Sequence, residues 1–110
     1  MLRSAFLMVG LCVALMGCDQ ASQAVDDVAR RSAKAAVSET LATRFPAVPQ
    51  KLVTPFSDCV IDNATGREIA EFAKDAVVGV DETTATLIRT VISRTETQKC
   101  VTKAGLAVLG

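Results

Sequence analysis

All three prolines of the chain, Pro46, Pro49 and Pro55, fall within ten consecutive positions. Proline has no amide proton and its ring clashes with the preceding helical turn, so neither a helix interior nor a central strand can run through this segment. The sequence is thereby split into two stretches that must find their own structure and then pack together. Residues 20–44 contain neither Gly nor Pro, are rich in Ala and carry charges of both signs, a composition that favours helix. Val25, Ala29, Ala33, Ala36, Val37, Leu41 and Phe45 recur at helical spacing along one face. That face is mostly alanine in its first half. The expectation is therefore a solvated spacer that packs only near Leu41 and Phe45, with a seam for a partner helix as the alternative.

Beyond the prolines the pattern predicts four short helices. Thr54-Pro55 offers a cap and a first-turn proline, followed by Phe56, Cys59, Val60 and Ala64 on one stripe, and Asn63-Ala64-Thr65-Gly66 interrupts it. Ile69, Phe72, Ala73, Ala76, Val77 and Val80 form the next stripe, with Gly79 near its end. Asp81 is placed to cap a third helix bearing Thr84, Leu87, Ile88, Val91 and Ile92. Thr95-Glu96-Thr97-Gln98 has capping-box spacing and opens a helix with Cys100, Val101 and Ala104, which Gly105 is expected to end. Period-2 alternation is sustained nowhere. The fold class expected is all-α: an Ala-rich N-terminal helix and a small bundle of about four short helices.

The N-terminus carries a different signal. Arg3 precedes a nearly continuous apolar run from Ala5 to Met16, too short for a spanning helix, which needs about 20 residues. A charged start, a short apolar run and a small residue make a secretory signal peptide. Leu15-Met16-Gly17-Cys18 resembles the lipobox of bacterial lipoprotein precursors, with Leu15 as the large aliphatic residue and Gly17 as the small one at the cleavage site; Met16 departs from the usual Ala, Ser or Thr. The resemblance implies cleavage before Cys18, a thioether from its sulfur to diacylglycerol, and acylation, as with palmitate, of the new amino group. Two or three such chains bind a membrane persistently, each buried methylene contributing about 0.8 kcal/mol. In some enteric bacteria an aspartate after this cysteine is associated with the inner membrane, and Asp19 leans the same way. A plain secreted protein is the alternative, although its cleavage site would want a small residue where Leu15 stands.

On this reading residues 1–17 are a signal peptide, 18–45 a helical tether, 46–54 a Pro-rich connector and 55–110 a small core domain. Of the four cysteines, Cys12 leaves with the signal and Cys18 takes the lipid. Cys59 and Cys100 remain, both on apolar stripes, and in an exported chain they are expected to form a structural disulfide. A catalytic pair would have Cys-x-x-Cys spacing.

The chain balances 12 basic against 12 acidic side chains, which leaves no surplus for capturing nucleic acid. It has no His, Trp or Tyr, so the commonest general base and metal ligand is missing. Two distant thiols without His make no four-ligand metal set. Carboxylates pair at helical spacing, Asp58 with Asp62, Glu68 with Glu71, and Glu71 with Asp75, but on polar faces interleaved with Arg67 and Lys74. No catalytic residue, cofactor or metal is expected. The C-terminal Leu106-Ala107-Val108-Leu109-Gly110 is expected to fold back over the disulfide, or else to be offered to a partner. The function expected is that of a non-enzymatic lipoprotein facing the periplasm or exterior, held to the membrane through Cys18, which binds another envelope component. A carrier of a small apolar ligand between Phe56, Phe72 and Ile88 is the alternative.

Overall fold

The computed structural model describes residues 26–109, and among these every regular element is helical. Helix α1 covers residues 26–44 of that span. A 3-10 turn at Gln50–Leu52 follows the connector and leads into α2 (Val53–Asp62), α3 (Gly66–Val78), α4 (Glu82–Ile92) and α5 (Thr95–Leu109).

Helices α1 and α2 form an antiparallel hairpin. Ala33, Ala36, Val37, Thr40 and Leu41 of α1 are buried, the i, i+3, i+4, i+7, i+8 stripe of one helix face. The alanines let α2 come close. Across the seam the Ser38 hydroxyl donates to Ser57 Oγ at 2.8 Å, and Ser57 in turn donates to the Val53 carbonyl at 2.7 Å. The Lys34 ammonium pairs with Asp58 at 2.6 Å. Packing along α1 thus reaches back to Ala29, well before Leu41 and Phe45, because small side chains that bury little area each still allow close contact over several turns.

Caps and connectors set the remaining directions. Asn63 closes α2 by donating its side-chain amide to the Cys59 carbonyl. Thr65 and Glu68 form a reciprocal capping box at the start of α3, and Asp81 with Thr84 does the same for α4. Between them Gly79 adopts φ 108°, and its amide donates to the Asp75 carbonyl. A side chain at Gly79 would be strained in that conformation. The Thr84 hydroxyl donates to Asp75 Oδ2 at 2.8 Å, which ties the end of α3 to the start of α4.

Two expected caps are displaced. Helix α2 begins at Val53 with Leu52 in the cap position and no side-chain cap. The 3-10 turn hands its chain direction straight to the helix, so Thr54 and Pro55 lie inside the first turn. Helix α5 begins at Thr95, where the Gln98 amide donates to the Arg94 carbonyl, and the expected capping box falls within the helix. It also runs through Gly105 to Leu109, since a single glycine costs a helix only about 1 kcal/mol and no proline follows.

The core is drawn from α1 to α4. Phe72, Leu41, Ile88, Val37, Val60 and Val91 are its largest fully buried apolar side chains. Phe45, Val48, Phe56, Leu87 and Ile92 pack around them. Helix α5 lies against α2, α4 and the 3-10 turn, yet its one fully buried residue is Thr97.

Candidate functional site: two ends of the bundle

The pairings above give the bundle two ends. Arg94, before α5, donates to the Asn63 carbonyl after α2 and to Glu68 in the first turn of α3. The first described turn of α1, the end of α2 and the start of α3 also share one groove of about 430 Å³, floored by Ala29, Ala64, Ile69 and Ala70 with Asp26 and Arg30 at its rim. This is the near end. At the far end lie the last turn of α1, the connector, the 3-10 turn, and the junction of α3 with α4. There Arg44 of α1 reaches Glu82 at 3.3 Å, Arg89 reaches the same carboxylate at 3.0 Å, and the Arg89 guanidinium sits 5.3 Å from the Phe45 ring centre. Helix α5 runs from the near end toward the far one.

Glu68 organises the near end. Its Oε1 accepts from the Thr65 amide at 2.8 Å while Arg94 grips both carboxylate oxygens at 2.7 and 2.8 Å. The Arg94 bonds, helped by the Thr65 amide, hold the Glu68 carboxyl down to about 2 from an ordinary 4.5 against the opposing effect of partial burial. The Glu82 carboxyl at the far end is lowered by Arg89 first and by Arg44 to a smaller degree. Both carboxylates are thus kept ionised. Neither is placed to exchange a proton near neutrality.

The other paired acids stay apart in role. Asp58 is taken by Lys34 and Asp75 by the Thr84 hydroxyl, while Asp62 and Glu71 are exposed. Among the described residues no cluster of Cys, Asp or Glu could hold a metal ion. Cys59 and Cys100 form the disulfide, with an S–S distance of 2.05 Å, joining α2 to α5. Cys18 and the lipobox-like residues 15–18 lie outside the described residues.

Phe72 and Ile88 are fully buried in the core cluster, and Phe56 is half-buried against it. The C-terminal segment does not fold back over the disulfide. It continues as helix, with Leu106 70% and Leu109 57% exposed. Helix α3 likewise leaves Val77 85% exposed, together with Val78, although both Ala76 and Val77 were expected on its inner stripe. Both helices outrun the core at the far end, so among the described residues nothing covers their last turns. The Glu68–Arg94 clamp was missed by sequence reasoning; the Thr65-x-x-Glu68 spacing, a capping-box signature, was the signal that could have found half of it.

No family model, curated protein or solved structure matches the chain. The two ends therefore stand on their own geometry. One is grooved and clamped by Glu68 and Arg94, with Val28 exposed on the first described turn of α1. The other presents uncovered valine and leucine side chains.

Proposed function

We propose that this protein is a membrane-tethered helical lipoprotein of the bacterial envelope that acts by binding another envelope component and carries out no chemistry of its own. The observation that carries the reading is Leu15-Met16-Gly17-Cys18, placed eight residues before the first described turn of α1. Eight residues of extended chain reach at most about 28 Å. The near end of the bundle is then held close to the lipid surface. The far end stands off by about another 28 Å, the length of the 19 described residues of α1.

The uncovered side chains Val77, Val78, Leu106 and Leu109 would thus be presented away from the anchoring bilayer, toward a component in the periplasm or beyond. Large apolar side chains left exposed on a small protein can mark an interaction site. No helix of the described residues is long and apolar enough to cross a membrane.

The test is metabolic labelling with a clickable fatty acid, combined with crosslinking in intact cells, for wild type and Cys18→Ser. The expected result is label on wild type alone, with a specific envelope partner whose capture falls when Cys18 is replaced. Unlabelled wild-type protein recovered in the soluble periplasmic fraction would overturn the tether. Labelled protein that copurifies a lipid or small ligand in native mass spectrometry, and no protein under several crosslinkers, would replace the binding role with that of a carrier.

A further inference from the structure

We propose that α5 is a redox latch: the Cys59–Cys100 disulfide holds it on the bundle, and reduction by a dithiol frees α5 while α1 to α4 remain folded. This goes beyond the proposed function and is independent of whether Cys18 carries a lipid.

Helix α5 lies along α2 yet supplies no side chain to the apolar core cluster. Every buried apolar residue apart from Leu52 of the 3-10 turn belongs to α1, α2, α3 or α4, and none of the partly buried apolar residues packed on the core cluster comes from α5. What α5 offers inward is half-buried Cys100, Val101 and Ala104 and the fully buried Thr97. The Thr97 hydroxyl is the one buried side-chain polar atom without a hydrogen-bond partner among the described residues. An unpaired buried hydroxyl opposes the docking of the helix that carries it. Two tethers remain. At the base, Arg94 is gripped by Glu68 and the Asn63 carbonyl, and this grip survives reduction. One and a half turns later comes the disulfide.

The two sulfurs are unequal in access. Cys59 is 2% exposed, whereas Cys100 is half-buried. A thiolate of the dithiol attacks Cys100 Sγ, forming a mixed disulfide as the Cys59 Sγ leaves and takes up a proton. The second thiol of the reductant then attacks its own sulfur in the mixed disulfide and expels the Cys100 thiolate, which is protonated. Two electrons pass to the cystine, the dithiol becomes a disulfide, and its two protons end on Cys59 and Cys100. Freed beyond Arg94, α5 swings on the clamp and uncovers the α2 face around Cys59.

The experiment is hydrogen exchange on the full chain, oxidised and then reduced with dithiothreitol, with alkylation confirming two free thiols. Exchange of residues 95–109 is expected to rise by about tenfold or more relative to peptides covering 33–41, 53–61 and 82–92, which stay protected as a folded unit. The Cys59→Ser/Cys100→Ser double variant is expected to match the reduced wild type without any reductant. Unchanged protection of 95–109 with both thiols free would overturn the latch. So would a simultaneous loss of protection in all helices, which would make the disulfide a support of the whole fold.

Discussion

Helices α3 and α5 have comparable lengths, 13 and 15 residues, and each leaves its last turn uncovered at the far end of the bundle. They are attached by opposite means. Helix α3 drives Phe72 and Ile69 into the core, is capped at its start, and ends on a glycine with positive φ. Helix α5 has a buried threonine and a covalent bond. The contrast teaches that a helix contributing one large apolar side chain is held by the core, whereas one contributing small or polar side chains needs a staple. A core of this size yields only about 3–5 kcal/mol unaided, so it has little to spare for a fifth helix.

The sharpest way to break the comparison is Phe72→Ala. With no exposure in the native state, this truncation is expected to cost about 4–5 kcal/mol through lost burial and a residual cavity, read as a large fall in the urea midpoint of the oxidised protein. Val101→Ala on α5 should move the midpoint far less. Removing both disulfide cysteines comes next. Closing a loop over a sequence separation of 41 is worth about 4 kcal/mol in the chain-entropy model, and calorimetry should show a lower but still cooperative melt. An unchanged melting temperature with both thiols free would show that the staple contributes nothing.

Leu41→Ala asks whether α1 belongs with α3 in being held by the core. Its expected cost is about 3 kcal/mol; a loss below about 0.5 kcal/mol, as for an exposed site, would return α1 to the role of a solvated tether. Glu68→Gln tests the clamp at the base of α5 and is expected to cost about 2 kcal/mol, between the values for exposed and buried pairs. The sign with pH follows from the direction of the shift. The folded carboxyl sits at about 2 and the unfolded one near 4.5, so the clamp's contribution is present above 4.5 and lost as pH falls from there through 2. Acid denaturation of Glu68→Gln should accordingly be flatter than that of wild type over this window. The smallest effect is a gain. Thr97→Val replaces the unpartnered hydroxyl with a methyl group and is expected to stabilise the docked α5 by about 1 kcal/mol, read by hydrogen exchange of residues 95–109.

Much of the fold was legible because helix periodicity and caps are local. Gly79 and Asp81 ended and began helices where expected, since a positive φ and a first-turn amide are satisfied within a few residues. Thr84, Ile88 and Val91 faced inward as their spacing required. The misplaced features were those that depend on what lies opposite. Ala76 and Val77 continue a stripe that the core is too short to cover, and Leu106 follows a glycine that does not break its helix. Val60 was expected inside, but Ser57 was not, because its burial depends on Ser38 arriving from α1.

By itself the sequence determined that the chain is helical, where most of its helices turn, that Cys59 and Cys100 both lie on apolar stripes, and that histidine chemistry is excluded. These follow from residue type and short-range spacing. Only the tertiary structure decided that α1 is part of the core, that Arg94 finds Glu68 across 26 positions, and that α5 lies along α2 without a side chain in the apolar core cluster. Those outcomes depend on which faces meet and how much area each can bury, and no local pattern carries that information.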